Sequence, residues 1–366
     1  MESPDLGVTE SLFSPDYQGS RARFREAARA AGARAHSILL SARGPQGEDL
    51  TIDVAWIGAE RPRAVTLHCS GTHGVEGFCG APIQLQALNR APSPPPDGAV
   101  IFVHGLNPYG MAHVRRVNEE NVDLNRNFLM PGEAYSGAPE AYAEFDPLLN
   151  PPTPPGLDLF APKMLLLLAK HGMPMLKQVI VGGQYDFPKG LFSGGARLQE
   201  GPRLWTEWLR AHLSEVERLV CIDIHSGLGE FGEDTLLVEA EIGSAHFDRL
   251  RDTFGQRVTP WNPNDGVAYA IRGGYPSWLP AQLPNTRVDF ITQEFGTTIP
   301  LRTLYAMREE NRLHHWGEPT PAHDVKQRFR ESFCPSSPAW RSAVLRRGGE
   351  LLSQALGLTF NEGHSS

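Results

Sequence analysis

Apolar residues recur along this chain in short runs, most of them bounded by Gly, Pro or Asn. From about residue 20 to 42 the pattern predicts a helix over RARFREAARAAGARAH running into a strand over SILLSA. Leu50–Ile57, Ala64–Cys69 and Ala99–His104 follow as apolar runs with β-branched residues. Runs of this length between Gly and Pro fit buried strands better than helices. Between the last two, GFCGAPIQLQALNRA has helical spacing. Strand, helix, strand implies a sheet that is at least partly parallel and covered by helices. Pro131 to Gly201 departs from the pattern, with PPTPPG, a short apolar helix around Met164 and the glycine-rich GGQYDFPKGLFSGG. It reads as an insertion, because strands resume after it. A helix over Arg203–Glu217 leads to strands at Leu219–Ile224 and Val288–Thr292, and a helical C-terminal extension begins at about residue 298. The whole chain, 1–366, then reads as a single domain.

Composition narrows the class. An apolar fraction of 40% is ordinary for a globular protein, and the formal net charge of -8 is spread along the chain. That balance argues against nucleic acid and against an anionic membrane as partner. Four scattered cysteines with no C-x-x-C pair point to neither a disulfide framework nor a cysteine zinc cluster. The acidic start has no apolar leader segment, and the run Met164–Ala169 is far short of the ~20 residues a membrane span needs. The expectation is a cytoplasmic protein, with its oligomeric state left open.

Four motifs carry chemistry, each where a predicted strand ends. Ser70-Gly-Thr-His-Gly-Val-Glu-Gly77 follows the strand AVTLHC. On a tight loop opening into a helix, His73 and Glu76 can aim an imidazole and a carboxylate at one point. Zinc accepts both, and a catalytic zinc needs three protein ligands and an open position. Alone, the pair is better read as a loop histidine and a glutamate favoured by the helix dipole. Asp223-Ile-His-Ser-Gly227 ends the strand LVCIDI, so His225 is a candidate third ligand at the carboxyl edge of the sheet. In Arg115 to Phe128, two arginines and an asparagine offer a fork-shaped anchor for a carboxylate. The polar groups of VDLNRNF lie among apolar residues, and because unpaired buried charge is costly a specific partner is implied. Finally, Glu294 in TQEFGT sits at the end of an interior strand, where a carboxylate can serve as general base and then general acid.

In this order the motifs resemble the M14 metallocarboxypeptidase superfamily: H-x-x-E, N-P-x-G, R…D-x-N-R-N-F, D-x-H-S-G and a strand-borne Glu, from about Ala64 to Thr297. THGVEGF, VDLNRNF, GGQYDFPKGLFSGG and ITQEFGT resemble the DUF2817 branch. The resemblance implies an α/β class, a three-layer α/β/α fold around a mixed, largely eight-stranded sheet. It implies one zinc per chain on His73, Glu76 and His225, with Glu294 and Arg116 catalytic and Asp123 orienting His73. It also implies that Asn125 and Arg126 grip the substrate's carboxylate. A substrate-binding tyrosine is Tyr269 or Tyr275, and Tyr275 is favoured.

The function that follows is zinc-dependent hydrolysis of an amide bond next to a free carboxylate, on a small peptide. The alternative is removal of an acyl group from an N-acyl amino acid, as in aspartoacylase-like and succinylglutamate-desuccinylase-like deacylases. A non-catalytic binding protein that kept the fold is a third reading, opposed by the intact ligand, base and anchor candidates.

Overall fold

The computed structural model describes residues 6–261 and 271–361. Helices α1 (Leu6–Leu12) and α2 (Tyr17–Ala30) lead into strands β1 (Arg34–Arg43) and β2 (Asp49–Gly58). Next come β3 (Ala64–Ser70), α3 (Gly77–Asn89), β4 (Gly98–His104) and the short α4 (Pro108–Ala112). Helices α5 (Tyr142–Leu149), α6 (Phe160–His171) and α7 (Met173–Val181) fill the insertion, and α8 (Glu200–Leu213) follows it. The sheet is completed by β5 (Arg218–Phe231), β6 (Asp234–Val238), β7 (Val258–Pro260) and β8 (Arg287–Gly296), with α9 (Ala245–Phe254) and α10 (Tyr275–Gln282) between them. Helices α11 (Pro300–Trp316), α12 (Asp324–Phe333) and α13 (Pro338–Asn361) come last.

Among the described residues the eight strands form one mixed sheet, β1-β2-β4-β3-β5-β8-β6-β7. The central β4, β3, β5 and β8 are parallel, while β1, β2 and β6 pair antiparallel. This is the expected α/β sheet. Side chains alternate faces along each strand, which splits the core in two. Val65, Leu67, Ile101, Leu219 and Cys221 pack beneath Trp205, Trp208 and Leu209 of α8 and Trp278 and Leu279 of α10. Val100, Phe102, Val220, Ile222 and Ile291 face the other way, toward Phe24 of α2, Ile83 of α3 and Val344, Leu351 and Leu352 of α13. The chain leaves β3 toward β4 on one side, and β5 joins β3 on the other. The crevice between the carboxyl ends of β3 and β5 is therefore the topological switch point, where open α/β sheets place their ligands.

Two readings of the sequence shift. Helix α2 begins earlier than expected, because the Asp16 carboxylate caps it by accepting from Gly19 N at 2.7 Å. It also ends earlier: Gly32 takes φ +69° and Arg34 already belongs to β1. The sequence reading passed over β6 and β7, since five- and three-residue strands carry no long apolar run. The insertion is tied to the body through Tyr142, Phe145 and Leu149, which are buried in the core. Buried Arg308 and Arg312 of α11 also donate to the carbonyls of Leu148, Thr153 and Pro154. No single described helix is long and apolar enough to cross a membrane.

Candidate metal centre

The loop after β3 is shaped by backbone before any chemistry enters. Its 3-10 turn, Gly74–Glu76, lies against α4, where a Cβ on Gly74 would stand 2.1 Å from the carbonyl carbon of Gly110. Only glycine fits there. Gly74 N and Val75 N donate to the carbonyls of Arg116 and Arg115 at 3.1 and 2.9 Å. Asn107 of the N-P-Y-G motif accepts from Gly110 N and donates to the Arg116 carbonyl at 3.2 Å. The loop bearing His73 and the loop bearing Arg116 are thus one backbone unit.

His73, Glu76 and His225 meet in the crevice, all buried, with ligand atoms within 4.8 Å of one another. His73 Nδ1 lies 3.0 Å from Glu76 Oε1, and His225 Nδ1 lies 3.1 Å from both Glu76 Oε2 and His73 Nδ1. The far ring nitrogens face carboxylates. His73 Nε2 is 3.1 Å from Asp123 Oδ1, and His225 Nε2 is 2.7 Å from Asp223 Oδ2. A carboxylate on Nε2 keeps the proton there and turns the Nδ1 lone pair inward. Two imidazole nitrogens and a carboxylate oxygen then converge on one point, and with both Nδ1 atoms unprotonated they form a set of acceptors. Zinc fits this donor set in number and type.

The electrostatics agree. Among the described residues, the carboxylates of Glu76, Asp123 and Asp223 surround the two imidazoles, and the Arg116 guanidinium pairs with Glu76 and Asp123. Burial opposes ionisation of Glu76, yet the charges of His73 and Arg116 and the hydrogen bond from His225 hold its carboxyl well below the usual range. Asp123 is likewise held low against burial by Arg116 and His73. Burial disfavours charge on His225 too, but Asp223 and Glu76 outweigh it and raise the imidazole well above its usual value. The pocket favours positive charge, and a divalent cation meets the same demand. Glu294, opposite His225 in the β5–β8 register, is 9% exposed and accepts from Leu228 N at 3.0 Å. Burial, and then the negative charge of Glu76, raises its carboxyl to about 7.

Residues 13–347 match the family described as "Protein of unknown function (DUF2817)". The chain belongs to that family. No curated protein matches its sequence. Its structure is similar to that of carboxypeptidase A from Helicoverpa armigera, at 12% identity and TM-score 0.47, over 94% of this chain and 74% of that one. It is also similar to a metallo-carboxypeptidase from Pseudomonas aeruginosa in complex with (2-guanidinoethylmercapto)succinic acid, at 15% identity and TM-score 0.44, over 92% of this chain and 68% of that one. These are similarities of fold.

In this DUF2817 chain the remaining expected residues divide. Arg116 is at the centre, donating from Nη1 to Glu76 at 2.9 Å and from Nε to Asp123 at 3.0 Å, with Nη2 2.7 Å from His73 Nε2. That nitrogen cannot both donate to Asp123 and accept from Arg116, and a cation held by Nδ1 would favour the tautomer that donates to Asp123. The presumed anchor is different. Arg126, expected to face a cleft, is fully buried and donates to the carbonyl of Val181 from Nε and Nη2, at 3.1 and 2.6 Å, and to its neighbour Asn125 O from Nη1. Glycine at 183 permits this closure: its φ is +100°, and a Cβ would stand 2.7 Å from Arg126 Cδ. Asn125 Oδ1 accepts from Tyr275 N at 2.9 Å. Tyr275 itself is fully buried among Phe128, Trp278 and Phe290, and its hydroxyl accepts from Trp205 Nε1 at 2.9 Å. The favoured tyrosine is therefore a core residue, and Tyr269 lies outside the described residues. The sequence reading assigned no role to Asp223, whose oxygens also accept from Thr72 Oγ1 at 2.9 and 3.1 Å. The signal was present, since D-x-H on a strand puts both side chains on one face.

Proposed function

We propose that this protein is a zinc-dependent amide hydrolase acting on small substrates that carry a free carboxylate, with one zinc per chain. The observation that carries the reading is the convergence of His73 Nδ1, Glu76 and His225 Nδ1 on one point at the switch of the sheet. Those three residues would hold the metal, and zinc bound there supplies Lewis acidity toward an amide carbonyl and toward water. Glu294, with its raised proton affinity, accepts the proton of the attacking water and delivers it to the leaving nitrogen. Arg116 places guanidinium N–H groups where negative charge develops on the carbonyl oxygen. Asp123 and Asp223 hold the two imidazoles in the tautomer that presents Nδ1. The carboxypeptidase-like and deacylase readings share all of these parts. Gly190, Leu191 and Phe192 of the insertion, with Met307 and Phe329, wall a cleft beside Arg116. Such walls favour compact substrates, including N-acyl amino acids. A screen of short peptides and N-acyl amino acids, with and without chelator, tests the proposal. Chelator-sensitive hydrolysis of at least one such acid is expected, and inertness of zinc-loaded protein toward all of them would sink it.

A further inference from the structure

Arg115, the neighbour of Arg116, is fully buried and takes no part in the metal cluster. Its Nε donates to Glu310 Oε1 at 2.9 Å and its Nη2 to Asn121 Oδ1 at 2.9 Å. Nη1 has no hydrogen-bond partner among the described residues. Lys326, also buried, donates to the same Glu310 oxygen at 2.6 Å and to the Val114 carbonyl. Glu310 is the only described carboxylate in a salt bridge with either cation, so two buried positive charges share one negative charge. The charges stand at neutral pH. Burial opposes ionisation of Glu310 but Arg115 and Lys326 lower it to about 2, and Lys326 is lowered by burial only to about 8. His314 and His315 add no charge, since burial and then Arg115 lower them to about 3 and about 4. An uncompensated buried cation with an idle N–H is unfavourable unless an anion joins it.

Arg115 lines the narrow cleft that Arg116 also lines, open to solvent at its mouth and with a cavity volume of about 10 Å³. Leu191, Phe192, Met307 and Phe329 give it apolar walls, and Asn121, Asn311 and the Glu310 carboxylate that pairs with Arg115 and Lys326 also line it. We propose that this cleft is an acid-binding subsite, in which Arg115 Nη1 receives a carboxylate of the substrate while its apolar part rests on Phe192, Met307 and Phe329. This deepens the hydrolase reading and rests on it for the ligand being a substrate. The carboxylate is either the α-carboxylate beside the amide or a side-chain acid, since both present the same pair of oxygens.

The test is a binding measurement, so it does not depend on turnover. Calorimetry on the full chain, zinc-loaded and after chelation, would compare N-benzoylglycine with N-benzoylglycinamide, and then N-benzoyl-aspartic acid α-amide, whose only acid is on the side chain. At least one of the acids should bind about tenfold more tightly than the neutral amide. Which of the two does so identifies the source of the carboxylate. Arg115→Met should abolish that preference. If this variant fails to fold, Arg115→Lys keeps a charge beside Glu310 and should retain the wild-type Tm yet lose most of the preference, because an ammonium lacks the fork. Equal binding of acids and amide by wild type, or a preference that survives both substitutions, overturns the proposal. Acid preference lost on Arg115 replacement in a protein that hydrolyses nothing would leave the subsite standing and the hydrolase reading fallen.

Discussion

Arg115 and Arg116 are neighbours in the chain, both buried, and they sit in opposite electrostatic surroundings. Arg116 pairs with two carboxylates, Glu76 and Asp123, and the inward-facing atoms of His73, Glu76 and His225 can all serve as acceptors. Around Arg115 two cations share Glu310, and the group left over is a donor. An acceptor-rich pocket calls for a cation and a donor-rich cleft calls for an anion. With the two side by side, a molecule with an amide near an acid group can engage both at once. Neither pocket alone would choose that molecule. The difference teaches that specificity here can come from charge imbalance rather than from shape.

The largest break in this comparison should come from Glu294→Gln. It removes a proton acceptor while leaving the acceptor set of the metal pocket intact, and kcat should fall roughly 10²–10⁴-fold at unchanged zinc content. Near-normal turnover would take Glu294 out of the mechanism. Asp223→Asn comes next, because an amide can no longer fix the His225 tautomer. Zinc affinity should fall about 10–100-fold by competition with a chelator, and wild-type affinity would show that the Asp223 contact is idle.

A stability effect separates Arg126 from both neighbouring arginines. Its guanidinium donates to the backbone carbonyls of Val181 and Asn125, so Arg126→Met should leave two buried acceptors short of a donor. The expected cost is ~1–3 kcal/mol of unfolding free energy, seen in denaturant melts, with the preference for acids kept. Unchanged stability together with a lost preference for acids would return the anchor role to Arg126.

The smallest effect is a pH dependence. The Glu294 carboxyl is raised from 4.5 to about 7 in the fold, so its neutral form is the favoured one there. A group shifted this way contributes stability below its unfolded value and loses it as pH rises through the folded value. Chelator-treated protein should lose some Tm between about pH 4.5 and 7, and Glu294→Gln should flatten that slope. A cation beside Glu294 favours the carboxylate, so in zinc-loaded protein the rising limb of kcat/KM should lie below 7. A limb well above 7 would contradict the general-base role.

Which parts of this could be read from the sequence follows from what each residue touches. His73, Glu76, His225 and Glu294 were legible because each follows a predicted strand, and strand ends on a parallel sheet lie at one edge. Asp223 was legible in principle through its two-residue spacing from His225. The run VDLNRNF correctly signalled buried polar groups with fixed partners, but not whose. Asn127 reaches the carbonyls of Gly194 and Arg197, and Arg126 reaches that of Val181, all far along the chain. Tyr275 was misplaced for the same reason: nothing local reveals that its hydroxyl meets Trp205. The pair Arg115–Arg116 shows the limit most clearly. Two identical residues in sequence are told apart only by Glu310 and Lys326, about two hundred residues downstream.

Zinc titration by calorimetry in two buffers of different ionisation enthalpy tests whether His73, Glu76 and His225 are arranged for a metal. About one zinc per chain should bind, with release of about one proton as the raised His225 gives way to the cation. His225→Ala should abolish tight binding. Zinc bound with wild-type affinity and stoichiometry by His225→Ala would contradict that arrangement.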